Sequence, residues 1–473
     1  MKTRNRIIGV VLVLIAATGL QSCFVAKKYQ TPEIEIEDQY RNISTTDSTT
    51  LAQMPWEQLF TDAKLNNLIQ EALQSNLDLL MAVERVNAAE AYFKQGRMGY
   101  LPTINLSANG GNYELSNNSL SGMSAGGNGP NYENYQLNGS ISWEADIWGK
   151  IRSNKRAFQA GYLQSEASRR AVESALVANL TSAYYQLLAL DAQVEVAEKT
   201  VTTRKESLET MKSLKEAGRV TEAAVKQTEA QLYSTQILLS DLEQNVVLLE
   251  NTISLLLGKS AGNIERSTLA EQTIEIALKT GYPSQLLRNR PDVMAAEYGL
   301  MNAFELTNVA KSNFYPSISL SATAGLESTN FDDWFDSGSI FSNLIGNLAQ
   351  PVLNSRRVRS QYEAAKAAQQ EAKYNFKKSL LTASKEVSDA LYSYEAEQKQ
   401  YEIRLKELEA LQQAVVYSEQ LLNSAYQNTT YLEVLTARGN ALNSEINTID
   451  SKFKQLNAIV ELYLALGGGW QQK

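Results

Sequence analysis

Histidine is absent from all 473 residues, and cysteine occurs once, at Cys23. Without imidazole the chain lacks the commonest general base and metal ligand, so Ser-His-Asp catalysis and histidine-ligated zinc are excluded. Proline is scarce, with eight in the chain and none from Ser153 to Glu216, where Gly161 is the one glycine. Nothing in that stretch stops a helix of about sixty residues, roughly 90 Å at ~1.5 Å per residue, longer than an ordinary domain accommodates. Long apolar runs are missing except for Ile7 to Ala17, which is too short to span a bilayer. The balance of 44 basic against 52 acidic residues gives a net charge of −8 and no sign of a nucleic-acid partner.

Lys2, Arg4 and Arg6 precede the apolar run and small residues follow it, so residues 1–22 read as a signal peptide. Its cleavage leaves 41 basic against 52 acidic residues. The segment Leu20-Gln21-Ser22-Cys23 resembles a bacterial lipobox: Leu at the third position before the cysteine, a small residue just before it, and Cys23 as acyl acceptor. Gln21 departs from the usual small or β-branched residue there. Several acyl chains, at about 0.8 kcal/mol per buried methylene, would hold Cys23 to a membrane. The alternative is an inert thiol at the boundary of the signal segment.

The rest of the chain repeats. One unit runs from Leu101-Pro102 to Leu257-Gly258 and returns from Tyr315-Pro316 to Leu466-Gly467. Ile151-Arg152-Ser153 reappears as Val358-Arg359-Ser360, and Gly218-Arg219-Val220-Thr221 falls opposite Asn428-Thr429-Thr430-Tyr431. Length alone suggests about three domains, and the repeat overrules that count. The boundaries that follow are a lipidated extended segment at 23–55, a first repeat at 56–258, a connector at 259–285, a second repeat at 286–467 and a tail at 468–473.

Each repeat opens with a helix. In the first, Thr61 or Asp62 caps a helical region from Trp56 to about Gln95, with Leu65, Leu68, Ile69, Ala72 and Leu73 at helical spacing. A strand hairpin follows at 101–147: Ile104, Leu106 and Ala108 alternate with Asn105, Ser107 and Asn109, and the returning Tyr135, Leu137, Ile141 and Trp143 alternate with Gln136, Asn138, Ser140 and Ser142. The second hairpin spans 315–352, with Ile318, Leu320 and Ala322 against Ser317, Ser319 and Ser321, and a less regular return strand at about Ser339 to Val352. Such hairpins suit a half-buried sheet or a membrane barrel with lipid outside and a polar lumen, and uncharged Ser, Asn and Gln on the polar face favour the barrel. Four strands cannot close a membrane barrel, so a barrel would have to be shared by several chains. Helical hairpins at 153–257 and 360–466 complete the repeats, turning at Gly218 and Asn428. Their apolar stripes are rich in alanine, which suits helices packed edge to edge with one wetted face. Residues 261–281 read as a polar surface connector.

These residues resemble the outer membrane factor family, the TolC-like exit ducts of bacterial efflux and secretion, and especially its lipoprotein branch. The carriers are Trp56-Glu57-Gln58-Leu59-Phe60 with Asp62 and Leu65, Leu101-Pro102, Trp143-Glu144-Ala145-Asp146-Ile147-Trp148-Gly149, Leu286-Leu287 with Arg290-Pro291-Asp292, and Tyr315-Pro316. The resemblance implies a mixed fold, a membrane β-barrel continued by a long α-helical barrel. Three chains each give four strands to a twelve-stranded barrel, and their helices form a tunnel across the periplasm. It also implies a passive duct with no cofactor, no metal site and no catalytic residue. The implied partners are two further copies in a homotrimer, a periplasmic adaptor (membrane fusion) protein, an inner-membrane RND pump or ABC transporter, and outer-membrane lipid.

On this resemblance Gly218, Arg219, Val220, Asn428, Thr429 and Thr430 form helical tips that face the adaptor. Family members narrow the periplasmic end with an acid-Val-Leu-acid-Ala segment, which here reads Glu433-Val434-Leu435-Thr436-Ala437, so Glu433 keeps the first acid and Thr436 replaces the second. Three Glu433 carboxylates would form a cation-attracting ring; the alternative is a solvated glutamate, as Arg219 is alternatively a solvated arginine. A structural lipoprotein without a channel explains the helices but not the hairpins. An envelope hydrolase using Glu144 with Asp146, or Asp332 with Asp333, lacks a convincing site, the second pair lying in a loop.

Overall fold

Asp62 caps the helix that follows it, and the element order follows from such local stops. The computed structural model describes residues 26–34, 51–114, 116, 132–273, 289–423 and 431–470. Cys23, Leu286, Leu287, Arg288, Asn428, Thr429 and Thr430 lie outside the described residues. The expected single helix from Trp56 to Gln95 is three: α1 (Trp56–Leu59), α2 (Ala63–Ser75) and α3 (Leu77–Met98). The Asp62 carboxylate accepts from the Lys64 and Leu65 amides at the start of α2. Asn76 causes the second break: its Oδ1 accepts from Leu79 N at 2.9 Å while its Nδ2 donates to Leu256 O at 2.9 Å. An asparagine that caps the next helix and ties to a distant carbonyl leaves the helical backbone there.

Next come β1 (Thr103–Tyr113), β2 (Tyr132–Glu144), α4 (Lys150–Glu216) and α5 (Glu222–Leu256). The second half repeats them as α6 (Pro291–Ser312), β3 (Ser317–Ser328), β4 (Ile340–Ala349), α7 (Arg357–Asn423) and α8 (Tyr431–Ala465). The lengths match: α3 and α6 have 22 residues, α4 and α7 have 67, and α5 and α8 have 35. Both long helices start slightly earlier than the expected Ser153 and Ser360. For α4 the reason is Asp146, whose carboxylate accepts from Ile151 N at 2.8 Å and Arg152 N at 3.1 Å, after Gly149 turns the chain with φ +78°.

The chain packs as two compact units, and each draws on both repeats. One comprises residues up to Pro32 with 87–164 and 297–375; the other comprises 33–86, 165–296 and 376–473. In the first unit the strands form one antiparallel sheet in the order β1-β2-β3-β4. Register pairs Ile104 with Ile141, Ile141 with Ala322 and Ala322 with Leu344, so these side chains share a face. Asn105, Ser140, Thr323 and Asn343 share the other. Phe341 and Ile345 are apolar exceptions on the polar face. Leu106 is 80% exposed and Leu344 70%, so no described residue covers the apolar face at these positions. A half-buried sheet of a soluble core would hide those residues, whereas a barrel wall presents them to lipid.

Elsewhere in that unit, α4 lies against α6. Glu305, 1% exposed, receives Arg156 Nε at 2.6 Å and Nη2 at 2.9 Å. The paired geometry offsets the desolvation of both charges. Ala157 and Ala160 are buried, so the alanine stripe admits a close helix neighbour. The second unit has a conventional core around Trp56, Phe60, Leu65, Ile69, Tyr184, Tyr185 and Tyr463, with Phe60 edge-on to Tyr463 at 5.9 Å. The described part of the connector, residues 261–273, is exposed at most positions but pinned at a few. Ile264, Leu269 and Gln272 are buried, and Arg266 clamps it to α4 and α5 through Asp191 at 2.9 Å and Glu250. No described helix is long and apolar enough to cross a membrane.

Candidate functional site at the helical tips

The first tip is built by a glycine stop. Gly218 has φ +72°, its N–H donates to Lys215 O at 2.8 Å, and Arg219 N–H donates to Leu214 O at 2.9 Å. This double bond pattern closes a helix around a left-handed residue, which glycine adopts without steric cost. Thr221 then caps α5 by accepting from Ala224 N at 3.3 Å. Gly218 and Arg219 are exposed. Val220 is not: it packs on a buried cluster of Val201, Leu208, Met211, Val225 and Leu232, which Tyr431 joins from the start of α8. The tip is therefore an apolar knot with a polar cap.

The segment expected to narrow the duct occupies the first turns of α8. Val434 and Leu435 are buried while Glu433 and Thr436 are exposed, so the acid and its replaced partner share one free helix face. Thr436 spends its hydroxyl on Leu432 O at 2.9 Å. On the inward side Arg438 donates to Glu419 of α7 at 2.6 Å and to Ser207 of α4 at 2.6 Å. Sequence reasoning missed this tie, although Glu419 and Arg438 are equidistant from the junction of Asn428 and Thr429. Lys215 and Glu222, bonded across the first tip, are likewise equidistant from Gly218 and Arg219. Pairing residues symmetric about a predicted antiparallel turn would have found both.

Beyond Arg438 lies a groove of about 310 Å³ that includes Arg204, Glu419 and Glu445. Burial, and then the neighbouring Arg438, lower the pKa of Arg204, whose Nη1 donates to Gln231 O and Thr235 Oγ1. Burial raises the pKa of Glu445, and Lys199 opposes that only in part.

The other singled-out residues have structural work. Arg290 is buried just before α6; it bonds Asp292 in the first turn of that helix at 2.7 Å and ties it to Ala465 O at 3.1 Å and Glu386 at 2.6 Å. Glu144 pairs with Lys150 at 3.0 Å, so the Glu144 and Asp146 carboxylates serve a salt bridge and a helix cap. Asp333 takes part in the β3–β4 loop, accepting from Asn330 Nδ2 at 3.1 Å. At the helix-side end of the sheet, Trp143 donates to Tyr100 O at 3.0 Å, and Trp148 donates to Pro316 O at 2.7 Å and stacks on Tyr315 at 4.8 Å. Aromatic rings at one level of a strand sheet match an interfacial belt.

Comparison with known proteins agrees with this architecture. The cation efflux system protein CusC of Escherichia coli O6:H1 is 28% identical over 468 residues, spanning 98% of this chain and 99% of its own. The toluene efflux pump outer membrane protein TtgI of Pseudomonas putida is 28% identical over 466 residues, spanning 97% and 98%. The solved structure of the outer-membrane channel OprN superposes with a TM-score of 0.85 at 25% identity, covering 94% of this chain and 99% of that one. The profile of the family described as outer membrane efflux protein matches residues 68–259 and 282–468, one match per repeat, and the chain belongs to that family.

Proposed function

We propose that the chain is the outer-membrane exit duct of a tripartite export system, working as a homotrimer. The observation that carries this reading is the sheet: an apolar face that no described residue covers, a face mostly of Ser, Asn, Gln and Thr, and two edges, β1 and β4, without a partner among the described strands. An edge left open in lipid strands its backbone groups without partners, so β4 of one copy pairs with β1 of the next until twelve strands close. The helical hairpins continue the lumen into the periplasm, and Gly218 and Arg219, with Asn428, Thr429 and Thr430, meet the adaptor. Glu433 from three copies narrows the periplasmic mouth beside Thr436.

Cys23 carries the lipid. Supporting this, Asn308 brackets Lys27, accepting from its N–H at 3.3 Å and donating to its carbonyl at 3.0 Å, and Ala26 lies against Gly149 beside Trp148. The cargo is a small amphiphile driven by a proton-coupled pump, in keeping with the toluene pump relative TtgI. CusC favours a second reading, a cation. A type I or ABC-driven exporter is the remaining architecture that uses such a duct.

Purified full-length protein in planar bilayers is expected to give stable single-channel conductance; insertion without conductance would return the chain to the class of structural lipoproteins. In-cell cross-linking and capture identifies the system: an adaptor with a proton-driven pump supports small-molecule efflux, and an ABC transporter redirects the cargo to peptides or proteins.

A further inference from the structure

We infer that Val352 and Leu353 form an apolar hook that seats on Met98, Tyr100 and Leu101 of a second copy of this chain, at the helix-side base of the sheet. The inference rests on the trimer proposed above and names a contact within it. Leu353 is 96% exposed and Val352 87%, the two highest values among the exposed large apolar residues described. They follow directly on the edge strand β4, in a segment that is neither strand nor helix. No described residue of the same copy covers either side chain, so the segment projects from the described part of its own copy.

The backbone is held there against its preference. Ser355 and Arg356 have φ +52° and +64°, the only described non-glycine residues with positive φ. The matching approach to α4 uses Gly149, which adopts φ +78° freely. Strain kept at two consecutive residues points to a conformation that something else requires. Arg356 also donates to Glu363 at 3.0 Å, which fixes the segment's departure into α7.

The opposite edge carries the matching surface. Met98, Tyr100 and Leu101, just before β1, are exposed. Register places both groups at one end of the sheet: Thr103 pairs with Ser142, Ser142 with Ser321, and Ser317 nearby with Ala349. When β4 of one copy runs antiparallel to β1 of the next, the residues after Ala349 pass beside those before Thr103. Val352 and Leu353 then lie against the partner's apolar approach to β1.

The test is bismaleimide cross-linking in native membranes of the double variant Leu101→Cys with Leu353→Cys, each single variant reporting any background through Cys23. Ala349→Cys with Thr103→Cys reports edge pairing separately. Covalent dimers and trimers from the hook pair, absent from both single variants, support the hook. Cross-linking of the edge pair alone overturns the hook and leaves the trimer standing; failure of both pairs overturns the two together. In a second measurement, Val352→Ser with Leu353→Ser is expected to halve, or more, the trimer fraction that survives mild detergent, with unchanged helix content. An undiminished trimer fraction overturns the proposal.

Discussion

Asp62 shows how much one side chain organises. Burial alone would raise its pKa, but donation from Tyr184 at 2.8 Å, Ser267, Lys64 N and Gln272 Nε2 at 2.9 Å holds it below its ordinary value of 3.8. A depressed carboxylate pKa stabilises the fold above the ordinary value, and that contribution disappears as pH falls through the lower folded value. Asp62→Ala should cost about 1–2 kcal/mol at neutral pH, from the lost cap and stranded donors. Asp62→Asn, which keeps an acceptor for the cap, should cost less and flatten the acid limb of a thermal unfolding profile. Glu445 runs the other way. Its raised pKa favours the folded state at low pH, and the benefit is lost as pH rises from the ordinary 4.5 through the folded value. Glu445→Gln should raise the unfolding temperature at pH 7 and leave it unchanged near pH 4; equal shifts at both would remove the titration argument.

Among the elements, the tip hairpin rests on one backbone position. A Cβ at Gly218 meets nothing within 4 Å, so substitution there is a conformational cost and not a collision. Gly218→Ala is expected to destabilise by about 1 kcal/mol, the penalty of left-handed backbone for an L side chain, and Gly218→Asn by less. Comparing the two by thermal unfolding separates that penalty from loss of packing, which neither should cause. The elements also show what the sequence made legible. Alternation read the strands and their two faces, and the missing prolines read the long helices, because both signals are local. The break at Asn76 was hidden because asparagine leaves a helix there to reach the carbonyl of Leu256, far along the chain. The anchoring of the connector was hidden because Arg266 finds its partner 75 residues away, at Asp191. At the tips, the Arg438 tie needed the hairpin geometry, since Glu419 and Arg438 meet only across the turn.

For the whole molecule, the proposed gate is a property of three copies and not of one. Glu433 is exposed within the chain, so its repulsion arises only when symmetry gathers three carboxylates. Glu433→Ala should raise single-channel conductance and sensitise cells to vancomycin without changing thermal stability. Unchanged conductance and permeability would make Glu433 an ordinary solvated residue. Replacing Thr436 with Glu restores a second acid per copy and should lower the conductance.

The matched helices of 67 and 35 residues in both repeats act together as a ruler. Each residue adds about 1.5 Å of helix, so one turn inserted into a single helix would leave it out of step with its counterpart in the other repeat. A duct of this kind can adapt to a deeper or shallower envelope only by changing four segments in step. Insertions and deletions in its descendants should therefore come in sets of four, at equal distance from the turns, and isolated ones should be confined to the loops.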